Sequence, residues 1–212
     1  MIISINGMDN CGKTTQTRRL IELYPDLFIR KIHIADTTSF DKAGYDYDWW
    51  FRTSTPEEFT HALYSSLAER IAIARSIDSS DKIVIMEKGL EFYDARILST
   101  LLAKGLSLEE AALVQKGIRD QYDLEDVEKL KLYLKPGSYR RKSDLDDDPL
   151  YQSYLYNNQR ILEFMDPDYV FIEPGPVDVV TNNILVEIER RMGDSGKERV
   201  LFRNTCRLQG VH

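Results

Sequence analysis

SINGMDNCGKTTQTRRL, residues 4–20, is the stretch that decides how this chain folds. It places Gly7, Gly12, Lys13 and the adjacent pair Thr14 and Thr15 directly after an apolar run, with Asp9 in the middle. Gly7 and Gly12 frame four residues, and Lys13 and Thr14 follow at once, which is the spacing of a phosphate-binding P-loop. Each residue type has a mechanical reason. The glycines let the backbone curl so that successive N–H groups face an anion. A helix opening near Lys13 adds the positive end of its dipole. The lysine supplies a point charge, and the Thr14 hydroxyl can ligate Mg²⁺. Gly7, Asn10, Cys11, Gly12, Lys13, Thr14 and Thr15 are therefore the expected phosphate cradle. Cys11 reads as a small residue at a tolerant loop position.

Outward from this stretch, strand and helix patterns alternate. Residues 1–6 predict a strand and 14–23 a helix that ends before Pro25. Residues 28–34 predict a second strand, and 35–54 an irregular, aromatic-rich segment. Thr55, Pro56 and Glu58 open a helix with a capping box and a proline at its first position, running to 77. The continuous apolar run 82–86 predicts a strand buried on both faces. Helices over 92–103 and 107–119 follow, the second capped by Ser107 and Glu110. Strands over 130–134 and 169–173 and helices over 150–164 and 177–192 complete the pattern. Strands separated by helices pair in parallel, because a parallel neighbour needs a crossover. The expected fold class is α/β, a three-layer P-loop NTPase sandwich: a five-stranded parallel sheet with helices on both faces. Its P-loop domain spans 1–192 with a short basic lid over about 136–148, and a tail of unassigned structure, 193–212, follows.

Composition bounds the function. The chain has 212 residues, 42% hydrophobic and 30% charged, with a net charge of −7. That acidity disfavours broad nucleic-acid binding. No stretch approaches the roughly 20 apolar residues of a membrane span. Cys11 and Cys206 form no disulfide framework or metal-ligand spacing, and a reduced, cytoplasmic setting is the expectation.

The residues NGMDNCGKTTQTRRL resemble the start of the thymidylate kinase family of nucleoside monophosphate kinases. Asp9, Gly12, Lys13, Thr14, Thr15 and Gln16 carry the likeness. The resemblance implies ATP as co-substrate, Mg²⁺ as cofactor, a small nucleotide acceptor, a homodimer, and an aspartate, here Asp9, that faces the acceptor and contacts its sugar. Two later segments depart from that family. After the second strand stands ADTTSFD (35–41), which puts Asp36 at the strand end, either as a base or sugar contact or as a turn cap. After the third strand stands MEKGLEFYDAR (86–96), whose Glu87 and later FYDAR resemble deoxynucleoside kinases. There an acidic group, Glu87, can hold Mg²⁺ or its water, and a cation, Lys88, can hold the acceptor's phosphate. Lys88 reads equally as an exposed lysine after a strand, and Arg96 is a further acceptor candidate.

On a helical wheel with Phe59 at zero, Leu63 falls at about 40°, Leu67 at about 80° and Arg70 at about 20°. Arg70 thus sits inside the apolar stripe, where a charge must snorkel or meet a buried partner. The resemblance implies that it grips the acceptor phosphate. The loop KPGSYRRKSDLDDDP (135–149) is the lid, in which Arg140 or Arg141 would stabilise the transferring phosphoryl group. EPGPV (173–177) resembles the turn beside adenine, with Gly175 and Pro176 bordering the ATP base. YDYDWWF (45–51) either stacks on an acceptor base or belongs to the core or to a partner surface.

The expected reaction is phosphoryl transfer from ATP to a nucleoside monophosphate, dTMP or a related pyrimidine deoxynucleotide. A deoxynucleoside kinase, or a kinase of a modified nucleotide or another small hydroxyl compound, is the runner-up. An ATP-binding switch protein that transfers nothing is the third reading. A regulatory GTPase would need an Asn-Lys-x-Asp segment to read guanine, and the chain has none.

Overall fold

The alternating pattern closes into one parallel sheet. In the computed structural model, which describes residues 1–33, 37–38, 46–77, 82–137, 144–165 and 168–193, the strands are β1 (Ile2–Asn6), β2 (Phe28–Ile32), β3 (Ile83–Glu87), β4 (Leu130–Leu134) and β5 (Val170–Ile172). Their order is β2-β3-β1-β4-β5, and every neighbouring pair is parallel. The helices are α1 (Lys13–Leu23), α2 (Pro56–Ile77), α3 (Leu90–Ala103), α4 (Leu108–Arg119), α5 (Pro149–Met165) and α6 (Val177–Gly193).

The two-residue period of the strands divides the apolar side chains between two cores. Ile3 and Ile5 of β1 join Ile85, Leu132, Leu20 of α1 and Ile184 of α6 on one face. Ile2, Val84 and Met86 join Phe59 and Leu63 of α2, Ile97 of α3 and Tyr154 of α5 on the other. This is the three-layer sandwich that the strand and helix pattern predicts.

Local chemistry sets the helix starts. Glu58 N donates to Thr55 Oγ1 at 3.1 Å and Thr55 N donates to Glu58 Oε2 at 2.9 Å, which is the reciprocal capping box at α2. Ser107 and Glu110 form the same box at α4. α3 begins two residues before its predicted start, because Leu90 N donates to the Glu128 carboxylate at 2.8 Å. That cap comes from 38 residues downstream, where sequence periodicity cannot see it.

The aromatic segment expected to be irregular contains a π-helical turn, Trp49–Thr53. Its closing bond runs from Ser54 N to Trp49 O at 3.1 Å, and Ser54 Oγ donates to the same carbonyl at 2.6 Å. Burial of Trp50 and Phe51 against Phe59, Tyr151 and Tyr154 holds a turn that has no amphipathic period of its own. Of the predicted lid, Asp144–Asp147 forms a 3-10 turn ahead of α5. Arg140 and Arg141 lie outside the described residues, as do Asp36 and the tail beyond Gly193. No described helix is long and apolar enough to cross a membrane.

The topology fixes where a ligand can sit. β1 is central; the chain passes from it to the edge strand β2, returns to β3 beside β1, and then crosses to β4 and β5 on the other side. The loop after β1 therefore opens at the carboxyl edge of the sheet, at the switch point where open α/β sheets bind ligands.

Candidate active site

The loop between β1 and α1 has the backbone that its glycines predict. Gly7 lies at φ 133° and Gly12 at φ 94°, both in the region that favours glycine, and Asn10 joins them at φ 63°. At Gly7 space is also limiting: a Cβ there would fall 2.6 Å from the Leu134 carbonyl oxygen of β4 and 2.8 Å from Cys11 Sγ. Gly12 immediately precedes α1, so the loop delivers the chain to a helix N-terminus. Lys13, the first helical residue, is buried, and its ammonium donates to the Met8 carbonyl at 2.6 Å. Thr14 and Thr15 are exposed.

On one side of this loop lies a cleft of about 210 Å³, lined by Asn10, Cys11, Gly12, Thr15, Glu173 and Gly175 among others. Gly175 thus meets the phosphate loop. Pro176 sits just beyond, and its carbonyl accepts from Val180 N at 3.0 Å in the first turn of α6. Gln16 fixes this side: its Nε2 donates to the Val177 carbonyl at 3.1 Å, and its Oε1 accepts from Thr181 Oγ1 at 2.7 Å.

On the other side, charges converge on Asp9. Lys88 Nζ lies 2.9 Å from Asp9 Oδ1, and Arg96 Nη2 lies 4.0 Å from Asp9 Oδ2. Lys88 is 14% exposed and packs over the Phe92 ring, so it is no solvated surface lysine. The Lys88 ammonium above all, with Arg96 and Lys13 behind it, holds the Asp9 carboxyl well below the usual carboxylate range. Burial, aided by the like charges of Arg96 and Lys13, pulls Lys88 down to about 7, with Asp9 acting in the opposite sense. Lys88 adopts φ 63°, a left-handed conformation that a non-glycine residue keeps only where its surroundings impose it.

Two residues outside the predicted set impose it. Asn6, at the end of β1, accepts from Gly89 N at 2.7 Å and donates to Ser4 Oγ at 2.8 Å and to the Leu132 carbonyl at 3.2 Å. Glu128 caps α3 from below, so close that a Cβ at Gly89 would lie 2.0 Å from its Oε2. Burial raises the Glu128 carboxyl against the hydrogen bonds from Ser4 and Leu90 N. Neither residue shows a local signal in sequence, since each works through partners far along the chain.

Glu87, the last residue of β3, is buried, with His33 Nε2 at 3.6 Å from its Oε2. Pairing of Ile5 with Glu87 in the β1–β3 register brings this carboxylate beside the phosphate loop. Arg70 is fully buried. Its Nη2 donates to the carbonyls of Ile32, at 3.4 Å, Glu87, and Lys88, at 3.1 Å, and the guanidinium lies 5.2 Å from the centroid of Tyr93. Its Nε and Nη1 have no hydrogen-bond partner among the described residues. The wheel position of Arg70 therefore marks a residue that ties the ends of β2 and β3 together. Trp50 and Phe51 of the aromatic segment belong to the core.

The structure thus brings Asp9, Lys13, Lys88 and Arg96 together and sets Glu87 and Gly175 beside the same loop. Solved structures of similar fold include the thymidylate kinase from Candida albicans, 17% identical, with 90% of this chain and 92% of that one covered at a TM-score of 0.64. The thymidylate kinase from Ehrlichia chaffeensis, 14% identical, is covered over 98% of its length and 89% of this chain at a TM-score of 0.55. No protein-family model and no curated protein sequence matches the chain. The protein is an α/β P-loop protein with a thymidylate kinase-like fold.

Proposed function

We propose that the protein is a Mg²⁺-dependent kinase that moves the γ-phosphoryl group of ATP to a nucleoside monophosphate, dTMP or a related pyrimidine deoxynucleotide. The observation that carries this reading is the charge balance beside the phosphate loop. Three cations, Lys13, Lys88 and Arg96, act on one carboxylate, Asp9. With Lys13 assigned to the phosphates of ATP, Arg96 and the protonated form of Lys88 exceed Asp9 by one charge. A phosphomonoester is the anion that such a site accommodates, and a neutral nucleoside is not.

Each residue has a role on this reading. The loop amides and Lys13 hold the β- and γ-phosphates, and Gly175 and Pro176 border the adenine. Asp9, Lys88 and Arg96 place the acceptor, with Asp36 as a further contact. Arg70, fully buried, serves the acceptor through Lys88, whose carbonyl it braces. Arg140 or Arg141 supplies the lid cation. The fit of a metal follows from its donors: Thr14 and Glu87 offer hard oxygens, and the described residues contain no cluster of three or more His, Cys, Asp or Glu side chains able to hold an ion alone. That suits Mg²⁺, which takes one or two protein oxygens and completes its shell with phosphate and water. When bound, the ion neutralises charge on the phosphates. The reading places the protein in the cytoplasm, among soluble nucleotides.

Glu87 and FYDAR favour the deoxynucleoside kinase as the second reading. A screen of ATP consumption with nucleosides and their monophosphates separates the two. Turnover with monophosphates alone is the expected result. Turnover with free nucleosides would replace the first reading by the second. ATP binding without phosphorylation of any acceptor would leave the switch protein.

The Lys88 ammonium gives a pH test. Its charged form grips an anion, and with the group poised at about 7 that form is lost as pH rises. The acceptor KM is expected to rise roughly tenfold between about pH 7 and about pH 8.5, with the ATP KM flat. In Lys88→Arg the slope should vanish, since a guanidinium keeps its proton throughout. An acceptor KM that stays level across that range in the unmodified enzyme would remove Lys88 from the acceptor site.

A further inference from the structure

Arg96 is held in an unusual way for a buried cation. Its guanidinium carbon lies 4.7 Å from the centroid of Trp50 and 5.9 Å from that of Tyr154. Its carboxylate contact, Asp9 Oδ2, is distant at 4.0 Å, and Asp9 already bonds Lys88 at 2.9 Å. The buried Nε of Arg96 has no hydrogen-bond partner among the described residues. A ring face attracts a cation without consuming its N–H donors. A guanidinium gripped in this manner is fixed in place and still has hydrogen bonds to give.

The indole is itself firmly seated. Trp50 belongs to the π-helical turn and meets Phe59 edge-on at 5.0 Å. Lys104, just past the end of α3, donates to the Ser54 carbonyl at 2.9 Å and to Ser54 Oγ at 3.0 Å, clasping the turn at its exit. π-Helical turns recur at functional sites.

We propose that Trp50 is the positioning residue that aims Arg96 at the anionic group of the acceptor, and thereby sets the preference for a phosphomonoester over a neutral nucleoside. This rests on the kinase reading for its kinetic consequence, but the anion site itself does not depend on it. The incoming phosphate meets a guanidinium whose Nε hydrogen bond is unspent, and the indole holds it against collapse onto Asp9.

Two measurements test the proposal, and the first needs no turnover. The chain has two tryptophans, so Trp49→Phe leaves Trp50 as the sole indole, its emission shaped by the cation above it. Titration with inorganic phosphate, and with dTMP, should change that emission; thymidine should not. Adding Arg96→Gln should abolish the response. A silent indole, or a response that persists without Arg96, would overturn the proposal even if the enzyme proves to be a kinase. A clean phosphate response would uphold it even if no acceptor is phosphorylated.

The second measurement is kinetic. Trp50→Leu should raise the acceptor KM roughly tenfold, with kcat within about twofold and the ATP KM unchanged. Trp50→Phe, which restores a ring face, should recover most of the loss. An unchanged acceptor KM in a folded Trp50→Leu enzyme would refute the positioning role. Where Trp50→Leu fails to fold, the Trp49→Phe titration with and without Arg96 decides the matter alone.

Discussion

Lys13→Ala is expected to lower phosphoryl transfer by about 10³-fold or more while the fold survives. The size follows from what the ammonium does. Charge spreads over the transferring phosphoryl oxygens, and catalysis of this reaction is positioning plus electrostatic stabilisation. Removing one preorganised donor from such a site costs about 10²–10³ in turnover, and a phosphate-facing cation costs at the upper end or beyond. The fold tolerates the change because the hydrogen bonds of the Lys13 ammonium among the described residues are local, to the Met8 carbonyl and, at 3.8 Å, to Cys11 Sγ. Alanine is also the best helix former, at a position where α1 begins. The check is turnover of the purified variant beside its thermal melt. Near-normal transfer from a folded Lys13→Ala protein would sink the assignment of the P-loop.

Arg70→Leu should produce the largest loss of stability among the site residues. The guanidinium serves three backbone carbonyls at the carboxyl ends of β2 and β3 and packs on Tyr93, wholly away from water. Leucine fills much of the space but leaves those carbonyls without their donor. Breaking a buried polar network of this kind costs about 3–5 kcal/mol. In a chain of this size that lowers the melting temperature by on the order of 10 °C. Arg70→Lys should recover little, because a single ammonium cannot reproduce a planar fork. If Arg70 served the acceptor alone, the melt would stay put and only the acceptor KM would move.

The two residues also show what a sequence can and cannot reveal. Lys13 was legible because the P-loop is local: its glycines, lysine and threonine act on one another within eight positions. The strand and helix alternation was legible for a similar reason, since burial on one or both faces leaves a period. Arg70 was half legible. Its angle on the wheel announced a buried charge, but not that backbone carbonyls from two strands would meet it. Glu128 and Asn6 left no trace, because each acts through a turn more than thirty residues away. Lys88 was ambiguous for the same reason: only the fold brings Asp9 to it, 79 residues apart. The aromatic run 45–51 misled by its lack of period, which concealed a turn held by packing.

The strand order has a consequence for biogenesis. Of the five described strands β1 is synthesised before the others, yet it occupies the middle of the sheet, with β3 and β4 as its neighbours. Its second partner ends at Leu134. At about 5–20 residues per second, that partner reaches completion on the order of ten seconds after β1 has been made. Throughout that wait one edge of β1 stays open, since β3 can cover only the other. Production of this protein at high level should therefore depend on chaperone supply and slow translation, and its refolding from denaturant should be limited by long-range strand assembly rather than by helix formation.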